Sequence, residues 1–416
     1  MNNQPCIAVI GLGYVGYPLA LAFGKHFKTI GFDIDQTRIQ DLKNNVDRTQ
    51  EADSEIIEQA QFLTVSSDQY SLTDANIYVV TTSTPVTSAN EPDLTEVLSA
   101  AETVGKHVLA GDTVVLESTV FPGLTEGAFA ESIERISGLK AGRDFYLGYS
   151  PERINPGDSF HRLQNIVKVI SAADDQTLCL LYEIYSRIIP EGIHKAESIK
   201  TAELSKLIEN TQRDINIAFI NEMFQLAEAL KLDFNQVLSC AKTKWNFLDF
   251  KPGLVGGHCV AVDPYYLLHS QNQLSLPAGM THTARQTNEK MIKHISHSFM
   301  KKIAKAGLIF TQAKVLIIGA SFKPDCPDMR NSKALSVIEE LMEFGIQPEI
   351  FDPIADFSST CSYTVHSEIP KLSYDAILML VPHSIVIDSL KTTSQSLLKP
   401  NGVFYSLDTT YRPLVN

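Results

Sequence analysis

A chain of 416 residues exceeds one ordinary hydrophobic core and calls for two or three domains. With 44% hydrophobic and 20% charged residues the composition is that of an ordinary globular protein, not a disordered one. A formal net charge of −13 argues against a nucleic-acid partner, because duplex affinity rests on Lys and Arg neutralising phosphates.

The apolar N-terminal stretch lacks a basic region ahead of it and carries glycines through its middle, so it does not read as a secretory signal. No run of about 20 uninterrupted apolar residues occurs, so no membrane segment is expected and the cytoplasm is the expected location. Six scattered cysteines (Cys6, Cys179, Cys240, Cys259, Cys326 and Cys361) form no CxxC pair. Reduced thiols follow, with neither a disulfide framework nor a zinc site.

In chain order, CIAVIGLG reads as a buried strand, YVGYPLALAFGKH as a helix, KTIGFDI as a second strand and QTRIQDLKN as the next helix. NIYVVTT and DTVVLEST are further strands, ending at the proline and glycine signals TPV and FPG. That alternation predicts a parallel, doubly wound sheet with ligands at the carboxyl ends of its strands. From about residue 196 the period changes to helical for more than 30 residues without Gly or Pro, a spine and a candidate dimer surface. Strand pattern returns with AKVLIIGASF, followed by the helix KALSVIEELMEFG and the strands QPEIFDP and YDAILMLVP. The expected fold class is α/β: two Rossmann-like doubly wound domains joined by a long central helix and a helical dimerisation domain.

Gly11, Gly13 and Gly16 form G-x-G-x-x-G directly after the first strand and at the opening of a helix, the context a dinucleotide pyrophosphate requires. Asp33 ends the second strand, where an acid hydrogen-bonds the adenosine ribose and repels a 2′-phosphate, favouring NAD over NADP. The same residue would also serve as the cap of the following helix. Arg38, one turn into that helix, either reaches the adenosine side or is a solvated surface charge.

A hydride acceptor implies titratable groups near strand ends and on the spine. Lys206 and Asn210 lie at i and i+4, on one helix face, and together would hold an oxyanion; alternatively they are a surface lysine and a satisfied amide. Thr119 and Glu152 follow strands of the first domain, at its ligand-facing end. Cys259 sits near Asp263 in GLVGGHCVAVDP, where the adjacent Gly256 and Gly257 permit unusual dihedrals. An unpaired cysteine is more often inert core filler than a nucleophile, and composition alone does not decide.

GLGYVGYPLA, TPV, ESTVFPG, YSPERINPG, AELSKLIENT, PGLVGGHCVAVDPYYL and FKPDCPDMRNS, in that order over essentially the whole chain, resemble the UDP-glucose/GDP-mannose dehydrogenase family. The resemblance implies an NAD-binding Rossmann domain over 1–195, a helical central and dimerisation domain with the cysteine loop over 196–305, and a UDP-sugar-binding α/β domain over 306–416. It implies four-electron oxidation of a sugar C6 alcohol to the carboxylate, with Cys259 as nucleophile and a thiohemiacetal and thioester on the way. It further implies that Lys206 and Asn210 steady the C6 oxygen, that Asp263 organises a proton-accepting water, and that Glu152, assisted by Thr119, is the base for thioester hydrolysis.

By the same resemblance Tyr14, Val15, Thr82, Pro85 and Thr119 join the glycines, Asp33 and Arg38 around NAD. Glu152, Arg153, Lys206, Asn210, Lys251, Gly256, His258, Arg285, Phe322, Lys323 and Arg330 are the substrate candidates. KWNFLDFKPG, residues 244–253, is similar to the family loop that closes over sugar and diphosphate, although its aromatics would also suit a core. His258 before the cysteine and Val262 where a lysine is usual are similar to the branch acting on UDP-N-acetylhexosamines. UDP-GlcNAc is the first expectation, then UDP-GalNAc, then UDP-glucose, with a product destined for surface polysaccharide. His258 has no second ligand at a metal spacing, so packing or acetamide contact is expected rather than a metal. Gly319 alone marks where a second glycine fingerprint would begin, so no second dinucleotide is expected. The competing classes are a two-electron hydroxyacid dehydrogenase, which needs neither Cys259 nor a third domain, and a non-enzymatic nucleotide-sugar-binding regulator.

Overall fold

Eight strands build one sheet and five another, and each sheet is ordered outward from its first strand. The computed structural model describes residues 4–49, 51–154, 162–355, 357, 363–370, 373–392, 397–408 and 410–411. Asn155, Pro156 and Gly157 of the SPERINPG motif, and Cys361, lie outside these residues. The backbone groups into two compact units: 1–209 with 265–276, and 210–264 with 277–416.

In the first unit the strands are β1 (Cys6–Ile10), β2 (Lys28–Phe32), β3 (Leu63–Ser66), β4 (Ile77–Val80), β5 (Thr113–Leu116), β6 (Tyr146–Tyr149), β7 (Lys168–Ala172) and β8 (Ile193–Lys195). Their order is β3-β2-β1-β4-β5-β6-β7-β8, parallel except that β6 and β7 run antiparallel. The first six reproduce the dinucleotide-fold order, with its switch point between β1 and β4. Both faces are covered, so β1, β4 and β5 are buried along their whole length and read as continuous apolar runs. The helices are α1 (Gly16–Gly24), α2 (Gln36–Lys43), α3 (Ser54–Gln59), α4 (Thr95–Gly105), α5 (Ala130–Ser137) and α6 (Asp175–Ile188).

The predicted long helix is α7 (Ile199–Ala229, 31 residues), and the division between the units falls within it. Its start is anchored by Glu203, whose buried carboxylate accepts from Gly123 N at 2.6 Å, Thr125 N at 3.0 Å and Thr125 Oγ1 at 2.6 Å. The FPG turn is thereby tied to the helix that follows 80 residues later.

The second unit holds α8 (Phe234–Ala241), α10 (Gly279–Lys305), α11 (Lys333–Glu343) and α12 (Ser384–Thr392), while α9 (Asp263–Gln273) spans the division. Its strands are β9 (Val315–Ile318), β10 (Pro348–Phe351), β11 (Thr364–His366), β12 (Tyr374–Met379) and β13 (Leu398–Ser406). They order as β11-β10-β9-β12-β13, all parallel, which repeats the first five positions of the other sheet. The α/β class with two Rossmann-like sheets is therefore what the structure contains. Among the described residues no helix is long and apolar enough to cross a membrane.

Candidate active site

The glycine loop has the geometry its sequence demands. A Cβ on Gly16 would stand 1.8 Å from Gly11 O and 2.3 Å from Thr81 Oγ1, so α1 can meet the β1 turn only with glycine there. Gly11 has φ +93°, the left-handed region. Gly13, by contrast, faces open space, where a phosphate backbone would approach. Asp33 does not cap the next helix: Asp35 does, accepting from Thr37 N and Arg38 N, two residues further on. Asp33 instead clamps the glycine loop, accepting from Leu12 N at 2.7 Å and Asp35 N at 2.9 Å. Beside it Ile34 is 82% exposed, an apolar side chain left bare at the adenine end of such a site.

Arg38 is not a solvated surface charge. It is 8% exposed, donates from Nε to Leu12 O at 2.9 Å and from Nη2 to Asp47 at 2.8 Å, and lies 5.2 Å from the Tyr17 ring centre. Among the described residues, Arg38 Nη1 and Thr82 Oγ1 are buried polar atoms without a partner. Those two orphans, the open face of Gly13 and the acid at the ribose position fit an NAD group. Val15 forms the N-terminal boundary of α1 next to Tyr14, and Pro85 O accepts from Tyr266 at 3.0 Å. Thr119 stands half-buried after β5.

Glu152 follows β6 and is held by a network that sequence reasoning missed. Its Oε1 accepts from Arg153 N and Ile154 N, both at 2.6 Å, and its Oε2 lies 3.2 Å from Lys168 Nζ. Lys168 is only 3% exposed and also donates to Glu117 at 2.6 Å; Glu117 in turn receives the Tyr185 hydroxyl. Burial pushes the Glu152 carboxyl up, but the Lys168 charge and the two backbone N–H groups outweigh it and leave the carboxyl below its ordinary value. Glu117 ends above its ordinary value, because burial and the neighbouring Glu152 exceed what Lys168 returns. Arg153 pairs with Glu209 at 2.9 Å and donates to Val167 O. Lys206 is buried on α7 and, among the described residues, pairs with no carboxylate.

In the second unit Cys259 closes the cysteine loop and opens α9: its carbonyl accepts from Val262 N at 3.0 Å and Asp263 N at 2.8 Å. Asp263 is buried, and its Oδ2 accepts from Asn210 Nδ2 at 2.6 Å. Asn210, Asp263 and Cys259 thus form one connected set. The paired glycines have a reason the sequence did not reveal. A Cβ on Gly256 would meet Asn331 O at 2.6 Å, and one on Gly257, at φ +78°, would meet the Phe322 ring at 2.7 Å. Gly257 N donates to Asn331 O, and Asn331 Nδ2 to Gly257 O at 2.8 Å, so the cysteine loop is stitched to the loop after β9. His258 lies 3.1 Å from Asp328, which also receives Arg330 at 2.8 Å. Burial raises the Asp328 carboxyl, but these bonds from His258 and Arg330 outweigh it and hold the group well below the carboxylate range.

A cavity of about 620 Å³ opens beyond the carboxyl ends of β9, β12 and β13. It brings together the predicted Lys251, Phe322 and Lys323 with Lys242, Asn235 and Asp408, which were not predicted. Three lysines in one lining suit a diphosphate. Arg285 is not at this lining: it is buried between α7 and α10, bonded to Asp214 at 2.6 Å and to Glu289. Arg330 and His258 also stand outside it. The aromatics of residues 244–253 divide: Phe247 and Phe250 pack against the core of this unit, and Trp245 is 91% exposed.

A glycine loop built for a pyrophosphate and an acid at the ribose position describe an NAD-binding protein. Models of the UDP-glucose/GDP-mannose dehydrogenase family match the chain in three stretches: the NAD binding domain over residues 6–189, the central domain over 200–290 and the UDP binding domain over 316–405. The UDP-N-acetyl-D-glucosamine 6-dehydrogenase of Salmonella typhi is 44% identical over 91% of this chain and 89% of its own. The protein of that name from Pseudomonas aeruginosa is 41% identical over 96% of each, and Protein CapL of Staphylococcus aureus 42% over 98% and 96%. The solved UDP-D-ManNAc dehydrogenase of Pyrococcus horikoshii superposes with a TM-score of 0.82 at 29% identity, covering 93% of this chain and 91% of that one. The chain belongs to the UDP-glucose/GDP-mannose dehydrogenase family and is an NAD-dependent nucleotide-sugar 6-dehydrogenase.

Proposed function

We propose that the protein oxidises the C6 alcohol of a UDP-N-acetylhexosamine, UDP-GlcNAc first, to the uronic acid in two successive two-electron steps. The relatives at 41–44% identity that carry an activity name support this sugar over its C2 epimer, since those named for UDP-N-acetyl-D-mannosamine stand at 28–30%. Bound NAD+ supplies the hydride acceptor, one molecule for each step. Lys206 and Asn210 steady the negative oxygen that C6 develops, and Asp263 orients the water that takes its proton. The Cys259 thiolate adds to the C6 aldehyde as a thiohemiacetal. Loss of a second hydride and proton leaves a thioester. Glu152, assisted by Thr119, draws a proton from the water that cleaves it, releasing carboxylate and regenerating the thiol.

The observation that carries the reading is the set Asn210–Asp263–Cys259: Asn210 donates to the buried Asp263 carboxylate, and the backbone N–H of Asp263 donates to the carbonyl of the half-buried Cys259 at a helix opening. The functional division follows residues 1–195, 196–305 and 306–416, with Arg153, Gly256, His258, Arg285 and Arg330 on the substrate side. The protein works in the cytoplasm as a homodimer through α7, and its product feeds a surface polysaccharide.

The test is NADH formed per sugar consumed, with UDP-GlcNAc, UDP-GalNAc, UDP-ManNAc, UDP-glucose and GDP-mannose in parallel. About two NADH from an N-acetylated sugar, falling by at least about three orders of magnitude in rate in Cys259→Ala, is the expected result. One NADH, or turnover on UDP-glucose alone, would overturn the reading.

A further inference from the structure

The two sheets share a device. Where Asp33 at the end of β2 accepts from Leu12 N just past β1, Asp352 at the end of β10 accepts from Ala320 N just past β9, at 2.8 Å. In the second unit, however, the freed side of that carboxylate is filled. His383 Nε2 stands 3.0 Å from Asp352 Oδ2, and both side chains are fully buried. At Gly319, the counterpart of Gly11, a Cβ would meet Val381 O at 2.1 Å, so the turn after β9 packs directly against the end of β12. The switch point between β9 and β12 opens as the lysine-lined cavity.

His383 does more than fill the space. Its Nδ1 accepts from Asp325 N at 2.9 Å, which fixes the neutral tautomer with the proton on Nε2, donated to Asp352. Asp325 sits in the left-handed region at φ +58°, which a non-glycine residue holds only when its surroundings impose it. The imposition is mutual: Asp325 Oδ1 accepts from Ser384 N at 2.7 Å and its Oδ2 from Ser384 Oγ at 2.6 Å, at the opening of α12. Ser321 Oγ donates to Lys323 O at 2.9 Å and lies 3.4 Å from His383 Nε2. Every residue from Ser321 to Asp325 lines the cavity, whereas His383 lies beneath it without reaching the surface.

We infer that His383 is the positioning residue for nucleotide recognition: by accepting from Asp325 N it holds the loop 321–325 in the shape that receives the UDP half of the substrate. This inference rests on the reading of the cavity as the UDP site. His383 touches neither substrate nor reacting atoms, so it sets affinity and leaves the chemical steps alone.

The side chains of Asn and Gln separate its two bonds. Asn places an acceptor near Nδ1 and lacks the reach to Asp352, whereas Gln reaches Asp352 and leaves Asp325 N without an acceptor. The experiment titrates UDP, the part common to every candidate sugar, into the full chain and its variants by calorimetry, and measures kcat and KM with the preferred sugar. His383→Asn should keep the UDP Kd within about threefold, while His383→Gln and His383→Leu weaken it about tenfold, or about 1.4 kcal/mol. KM should rise by the same factor with kcat within about twofold. Thermal melts check folding; should His383→Leu fail to fold, the comparison of Asn with Gln decides alone. Wild-type affinity in His383→Gln, equal weakening by Asn and Gln, or a fall in kcat at constant KM would each overturn the inference. Failure of the cavity reading is separate: wild-type protein would bind no UDP, or bind it unchanged in Lys323→Ala and Lys251→Ala.

Discussion

Lys168 is the residue whose position bears most on the proposed hydrolytic step. It stands between two buried carboxylates, so the trio carries one net negative charge when Glu152 is ionised. In the proposed hydrolysis, protonating Glu152 would leave Lys168 and Glu117 as a balanced pair, so the base would gain its proton without stranding a charge. With its carboxyl held below the ordinary value, Glu152 contributes stability above the carboxylate range, and that contribution is lost as pH falls through the lowered value. Lys168→Met removes the largest lowering influence and leaves burial opposed only by the backbone N–H groups of Arg153 and Ile154. The acidic limb of thioester hydrolysis should therefore move to higher pH, with acyl-enzyme accumulating below it, read by quenched-flow across pH 5–9. Lys168→Arg should return the limb towards its original place. An unmoved limb in Lys168→Met, in protein that melts cooperatively, would separate Lys168 from the base.

At the scale of elements, loops rather than strands decide what can be substituted. Gly257→Ala forces a side chain at φ +78° against the Phe322 ring, whereas Gly253→Ala meets nothing within 4 Å. The first should destabilise by about 1–3 kcal/mol and the second by less than about 0.5, read as urea midpoints at constant m. Equal midpoints would mean that the cysteine loop yields freely to the loop after β9. These contrasts mark where the sequence was legible. Gly11, Gly13, Gly16 and the 31-residue helix carry their meaning within a few neighbours, so pattern alone finds them, whereas Cys259 took its reading only from the resemblance. Asp33 and Asp35, two residues apart and both acidic, were not separable without the backbone that assigns the cap to Asp35. Lys168 and His383 were illegible for another reason: their partners Glu117 and Asp325 lie 51 and 58 residues away, and only the sheet order brings them together. The bond from Arg285 to Asp214 was equally illegible. The helix pairing that buries it against Asp214 spans 71 residues and leaves no local trace.

For the whole molecule, the central question is what covers α7. Leu204, Ile208, Phe219 and Leu226 remain 38–57% exposed, and at about 100° per residue they fall within roughly 60° of arc. The opposite side, with Ile220, Phe224 and Ala227, is buried in the core of the second unit. A helix apolar on two sides and satisfied on one leaves an uncovered apolar face, and the proposed homodimer would pair this stripe with the same stripe on another copy across a two-fold axis. Burying each large side chain is worth about 1.5–3 kcal/mol, so a charge placed mid-stripe removes that gain and leaves a buried carboxylate to be paired. Phe219→Asp and Leu226→Asp should therefore convert a dimer to a monomer in sedimentation velocity at micromolar concentration, with the far-UV spectrum retained because neither side chain belongs to the intramolecular core. A chain that sediments as a monomer before mutation, or a dimer that survives both changes, would assign the stripe to some other neighbour.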